Sequence, residues 1–323
     1  MVAVGEARIA AKKSTTTAVA RFERYLVFCQ SHGYSTVPQA SYTAVAGFLA
    51  EFMTRNNGHT ATLEGVLSNL RTQHDERGMA FLPPAAARKL KLLMADWKRH
   101  DTTVVNRKLP LRFLLVLQIV ARMNLSDVAQ LQRATQMVLA VQALLRTKEV
   151  TGGLRASDFV FRHAERIVAI HLAPTKTCTS GAGVWIEVAD TTHPISAYKL
   201  LLRLFASRTL DTRPTDFVFC MIRKGVLTPT KRSSPDAFRR LIKDSVTGLG
   251  LDARKFSGHS ARAGGATDLF AHGLPYYVIK RFGRWKSDTA LIYFCCEASI
   301  AQSAASAFGQ TPTPTQPLHD FGV

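Results

Sequence analysis

The sequence predicts a mostly α chain with a small β-sheet, an α+β arrangement in which an all-α amino-terminal domain precedes a larger mixed domain. Three observations predict it. Apolar residues recur at helical spacing through most of the chain. Two short stretches rich in Val and Ile flank a segment of turn-forming residues. A polar, basic connection, Lys98–Pro110, separates the two halves and ends in Leu-Pro, which favours extended backbone.

In the first half, Thr15–Gly33 sets Val19, Phe22, Tyr25, Leu26 and Cys29 at helical spacing, with Gly33 as the stop signal. Tyr42–Met53 and Leu63–Gln73 repeat the pattern. In Arg88–Trp97, Leu90, Leu93, Met94 and Trp97 share one face, while Arg88, Lys89, Lys91 and the following Lys98 surround it with charge. Four short helices, several of them basic, make residues 1–105 an all-α domain.

Residues 106–300 form the second domain. Helical runs cover Leu111–Ala121 and Asp127–Leu145. Strands follow at Ile167–Leu172 and Val184–Val188, and Ala173–Gly183, with Pro, Thr, Ser and Gly, makes the hairpin turn between them. Ile195–Phe205, Pro235–Val246 and Gly264–His272 return to helical spacing. Residues 301–323 are a tail. From Gln310 onward it has too little apolar content to pack, so partial disorder is expected. No internal repeat is present.

Charge narrows the function. The chain carries 42 Lys plus Arg against 23 Asp plus Glu, a net +19, and 46 % hydrophobic residues. A core is therefore expected, and the excess cation points to the phosphate backbone of nucleic acid. No helical segment pairs a basic face with an aromatic one, which argues against a membrane surface. The longest apolar stretch, Met137–Leu145, is too short to span a bilayer, and Met1–Lys13 lacks the apolar core of a signal peptide. Five cysteines, Cys29, Cys178, Cys220, Cys295 and Cys296, are an odd number without CxxC spacing, which implies a reducing compartment and no structural zinc. Metal-dependent nuclease chemistry needs clustered carboxylates, in which the chain is poor, and no GxxxxGK[ST] phosphate loop is present.

The most informative segment is Phe256–Phe294. It holds His259-Ser-Ala-Arg262, a run of small residues, Gly283-Arg-Trp-Lys-Ser-Asp, and Tyr293 ten residues after Gly283. Upstream stand Leu145-Arg146-Thr-Lys-Glu149 and, in the expected hairpin turn, Pro174-Thr-Lys176-Thr. Cleaving a phosphodiester with an attacking oxygen builds negative charge on the non-bridging oxygens, and two permanently charged guanidiniums are suited to clamp it. Arg146 and Arg262 fit that task. A phenol such as Tyr293 needs cationic neighbours to ionise, and a lysine on a hairpin, Lys176, can protonate the leaving oxygen. His259 would move protons or hold the phosphate.

In order and spacing, this set resembles the tyrosine recombinase (phage integrase) family, and most closely the recombinases of eukaryotic DIRS- and Crypton-type mobile elements. The resemblance spans roughly Leu111–Glu297. It implies a catalytic domain preceded by a helical core-binding domain, with Arg146, Lys176, His259, Arg262, Trp285 and Tyr293 as catalytic residues. Arg155, in Gly153-Leu-Arg155-Ala-Ser-Asp158, competes with Arg146, which is favoured for following the long helix. The family's His or Trp position falls on Arg284 by register and on Trp285 by chemistry; Arg284 is also a candidate phosphate contact.

The implied activity is site-specific cutting and rejoining of double-stranded DNA through a 3′-phosphotyrosine, without metal or nucleotide cofactor, by a homotetramer on paired sites. The helix-compatible segment Glu297–Phe308 is a candidate for docking on a neighbouring protomer. Lys12, Lys13, Arg21, Arg24, Arg88, Lys89, Lys91, Lys98 and Arg99 are candidate phosphate contacts of the first domain. The expected location is intracellular and DNA-associated, in the nucleus if the host is eukaryotic. The alternative is a catalytically inactive, element-derived DNA-binding protein. A topoisomerase of the related tyrosine class would carry long basic insertions, which are absent here.

Overall fold

The computed structural model describes residues 16–35, 40–55, 60–102, 108–174, 182–208, 213–288 and 291. Lys12, Lys13, Lys176, Tyr293 and the segment Glu297–Phe308 lie outside these residues. The chain divides into two compact units, Met1–Asn106 and Arg107–Val323.

Among its described residues the first unit holds four helices, α1 (Thr16–Ser31), α2 (Tyr42–Arg55), α3 (Leu63–Glu76) and α4 (Pro84–Arg99). Its core gathers Phe22, Tyr25, Phe28, Phe48, Leu49, Leu70, Leu90 and Met94. In α1 the buried face runs through Phe22, Tyr25, Phe28 and Cys29, whereas Leu26, expected inside, is exposed. A step of 3.6 residues carries Leu26 to the edge of the stripe and brings Phe28 in. Pro84 opens α4, where its missing N–H leaves no bond unmade. Leu90 and Met94 point inward, and Arg88, Lys89 and Lys91 remain exposed.

The second unit comprises α5 (Phe113–Val120), α6 (Val128–Gln142), α7 (Thr147–Thr151), β1 (Phe159–Arg162), β2 (Ile167–Leu172), β3 (Val184–Ala189), α8 (Ala197–Ser207), β4 (Cys220–Arg223), β5 (Val226–Arg232), α9 (Pro235–Thr247), α10 (Ser260–Ala271) and α11 (Tyr276–Phe282). Its three-stranded sheet is antiparallel in the order β1-β2-β3, with Leu172 opposite Val184 at the hairpin end. The central helix is α6, buried from Leu131 to Val141 except at Arg133.

Several boundaries differ from the sequence expectation, each for a local reason. α6 stops at Gln142 rather than Leu145, because Leu144 is left-handed (φ 48°) and the Leu145 N–H turns back to the Ala140 carbonyl at 3.0 Å. Leu144 is fully buried beside Ala266 and Ile279, and that packing sustains the strained backbone. α10 begins at Ser260, not Gly264. The run Ala263-Gly-Gly-Ala266 is a packing surface: a Cβ on Gly264 or Gly265 would strike the carbonyls of Leu111 and Val141. Asp268 fastens the same helix to α5 by accepting the Phe113 N–H at 2.6 Å and pairing with Arg112.

β1, the β4–β5 hairpin, α7 and α11 are absent from the sequence expectation. The hairpin turn is Lys224-Gly225, both with positive φ (50° and 78°), a two-residue signal that Pro229 in β5 obscured.

Candidate active site

Three segments remote in sequence meet at the stretch Leu144–Glu149, between α6 and α7: that stretch itself, the start of α10, and the turn after α11. Arg146 emerges from the left-handed turn at Leu144 and begins α7. Its main-chain N–H donates to Glu149 Oε2 at 2.8 Å and its Nη1 to Oε1 at 2.7 Å, leaving its side chain 29 % exposed. Burial alone would raise the Glu149 carboxyl, but Arg284, the Arg146 N–H and the Arg146 guanidinium outweigh it and hold the pKa below the ordinary carboxylate value. The cleft beside them, about 600 Å³, is lined by Arg146, Lys148, Glu149, Asp158, Pro174 and Arg232.

Arg262 lies in the first turn of α10 and is 1 % exposed. Nη1 donates to the Leu144 carbonyl at 2.5 Å and Nη2 to the Gly283 carbonyl, and the Trp285 ring centroid is 3.9 Å from the guanidinium carbon. The expected α10 arginine and the expected Trp285 are thus one stacked unit.

His259 precedes α10, and the adjoining Gly258 rests on Thr147, next to Arg146. The ring is exposed, yet partial desolvation, followed by the charges of Arg262, Arg146 and Arg239, holds its pKa below the usual histidine value. In an NMR titration His259 is expected to protonate below pH 6.5. Arg146→Gln removes one repelling cation and should move that midpoint upward. An unmoved midpoint would mean that Arg146 is not an electrostatic neighbour.

Arg155 goes elsewhere: its guanidinium donates to the Thr215 carbonyl and sits 4.5 Å from the Phe217 ring centroid. The sequence offers Arg284 as a phosphate contact; in the structure its side chain is 15 % exposed and Nη2 donates to Glu149 Oε2 at 2.9 Å. The buried carboxylate and carbonyls after α6 accept from its two Nη groups, with Ala143 and Leu144 at 3.4 and 3.3 Å.

In the first unit Arg24, Arg88, Lys89, Lys91, Lys98 and Arg99 are exposed and Arg21 is half-buried. Lys98 pairs with Glu64 and Lys89 lies 4.7 Å from the Tyr42 ring centroid. Sequence reasoning missed Arg232 in the cleft and Arg239 beside His259. Lys231-Arg232 was legible as a basic pair, but only the β4–β5 hairpin carries it to the cleft. Among the described residues no helix is long and apolar enough to cross a membrane, and no three His, Cys, Asp or Glu side chains gather as metal ligands.

Recombinase Cre of Escherichia phage P1 is 30 % identical over 157 residues, which cover 46 % of this chain and 44 % of Cre, less than half of either. XerH site-specific recombinase bound to a palindromic difH substrate superposes with a TM-score of 0.60 at 15 % identity, covering 91 % of this chain and 78 % of that one. The Tn1549 transposon integrase in complex with a circular intermediate DNA also gives 0.60, at 13 % identity, covering 94 % and 97 %. These two likenesses concern the fold. The model of the Phage integrase family matches residues 112–295, more than half of the 323-residue chain and the stretch that builds the cleft. The chain belongs to the phage integrase family.

Proposed function

We propose that the protein is a site-specific DNA recombinase that cuts and rejoins double-stranded DNA through a 3′-phosphotyrosine on Tyr293. The observation that carries this reading is the convergence of Arg146, His259 and Arg262, from segments more than a hundred residues apart, on the stretch Leu144–Thr147. Two fixed guanidiniums suit the charge that develops on the non-bridging oxygens of a phosphodiester under attack.

In the proposed reaction the Tyr293 oxygen attacks phosphorus and the bond from phosphorus to the 5′-oxygen breaks. Lys176 supplies the proton that the leaving 5′-oxygen takes. Attack by a 5′-hydroxyl on the phosphotyrosine reverses the step, so the bond energy is conserved and no nucleotide is consumed. His259, whose pKa is held below the usual histidine value by partial desolvation and then by its cationic neighbours, suits proton movement at the phosphate. Arg262 is 1 % exposed, so its engagement with phosphate requires a shift of Trp285, which stacks on it. Residues 106–300 act as the catalytic domain and 1–105 as the core-binding domain, whose exposed cations contact phosphate without reading sequence.

The finer assignments rest on the sequence resemblance: kinship with DIRS- and Crypton-type elements, a homotetramer on paired sites, and a nuclear location in a eukaryotic host.

The deciding experiment incubates the protein in EDTA with a nicked suicide duplex carrying the element's terminal sequence, followed by a denaturing gel. A protein–DNA band that survives denaturation is the expected result. Tight binding to the same duplex with no such band would overturn the reading in favour of a DNA-binding protein that does not cleave.

A further inference from the structure

The turn that ends α11 contains a backbone oddity with a chemical consequence. The Arg284 N–H reaches the Arg281 carbonyl at 3.0 Å and the Trp285 N–H reaches the Lys280 carbonyl at 3.0 Å, with Arg284 left-handed at φ 60°. Helices usually place glycine at that position. Gly283 is one residue too early for the task, and it is occupied otherwise: the Trp285 ring lies against it, where any Cβ would collide. The left-handed place therefore falls to an arginine, and strain of this kind is retained where the surrounding structure uses the side chain.

The Arg284 side chain is spent within the protein. Nη2 holds Glu149 Oε2 at 2.9 Å and Nη1 the Phe282 carbonyl at 3.2 Å. Glu149, with its side chain 5 % exposed, is shared: Arg146 bonds Oε1 at 2.7 Å through Nη1 and Oε2 at 2.8 Å through its main-chain N–H. One buried carboxylate thus sits between two guanidiniums, and exposure rises outward from Glu149 through Arg284 to Arg146. Two cations on one carboxylate leave a net positive charge; Arg146 and Glu149 line the cleft, and Arg284 stands behind them. Without Arg284, Glu149 would neutralise Arg146 alone, and nothing would oppose its pull on that guanidinium.

We propose that Arg284 is a positioning residue: it anchors Glu149 so that Arg146 keeps both its orientation and an unneutralised charge for the scissile phosphate. This rests on the recombinase reading of the same cleft. It departs from the alternative in which Arg284 itself touches DNA.

The test compares wild type, Arg284→Ala, Arg284→Lys and the pair Glu149→Gln/Arg284→Ala on a nicked duplex, measuring both affinity and the single-turnover rate of covalent attachment. Misplacement of a clamping group by about 1 Å can lower a rate about 100-fold, and a loss of that order is expected for Arg284→Ala with DNA affinity nearly unchanged. Arg284→Lys, which keeps a cation on Glu149, should recover part of the rate. The pair should be no slower than the slower single variant, because both changes break one unit. If Arg284→Ala melts below the assay temperature, Arg284→Gln replaces it, keeping donors for the carbonyls without the charge. An unchanged rate would overturn the proposal, and so would a matching loss of DNA affinity, which would make Arg284 a phosphate contact.

If wild type gives no covalent product, the recombinase reading fails and the Arg284 role is read without DNA, from the NMR midpoint of His259, on which Arg146 acts. Arg284→Ala should move that midpoint upward as Arg146 is drawn onto Glu149. An unmoved midpoint would sink the positioning role.

Discussion

Tyr293→Phe is expected to abolish covalent attachment to a nicked duplex, lowering the rate by on the order of 10⁴-fold or more, as loss of a nucleophile does elsewhere. The substitution deletes one oxygen, so affinity for the duplex should stay within about twofold of wild type, since phosphate contacts carry the binding. The chain offers a control in the two tyrosines of α11. Tyr276 donates its hydroxyl to Asp288 at 2.8 Å, and partial desolvation together with that bond raises its pKa, which makes it a poorer nucleophile. Tyr277 is exposed at 71 %. Tyr276→Phe and Tyr277→Phe should both retain the band. Its persistence in Tyr293→Phe, with loss in either control, would move the nucleophile to α11 and overturn the assignment.

Arg262→Ala should be the most destabilising change in the second unit, by about 3–5 kcal/mol in urea unfolding, because it leaves a cavity in a dry interior, strips the Arg262 donor from the Gly283 carbonyl at about 1–3 kcal/mol, and removes the closer of two donors on the Leu144 carbonyl. The carbonyls are those of Leu144 and Gly283, on the turn after α6 and the turn after α11. Arg262 therefore ties together the two turns that carry Arg146 and Arg284, and Trp285 would lose the cation it stacks on. Arg262→Lys keeps a charge but lacks the planar fork that spans two acceptors, so it should recover only part of the loss. A deficit below about 1 kcal/mol for Arg262→Ala would mean that the cavity closes and the Gly283 carbonyl finds another donor, and would sink this account of the Arg262 contacts.

The candidate motifs were legible because they are short: His259-Ser-Ala-Arg262 lies within one helical turn of the start of α10, and Leu145–Glu149 within one turn of the start of α7. The choice between Arg146 and Arg155 could be argued only from position, whereas the folded chain shows Arg146 on Glu149 and Arg155 on Thr215 and Phe217. Lys176 and Tyr293 remain assignments carried by resemblance.

What the sequence by itself determined is what repeats locally: the amphipathic helices, the Val- and Ile-rich pair β2–β3, the surplus of cation, and the ordered set of short motifs. Only the tertiary structure decided where side chains turn once distant backbone arrives. Arg284 meets Glu149 across 135 positions, and Arg262 meets the Leu144 carbonyl across 118. No periodicity of 3.6 or 2 encodes such a partner. A guanidinium that would face solvent on an isolated helix turns inward when a buried carboxylate and open carbonyls lie within its reach, because leaving those groups unpaired is the larger free-energy penalty.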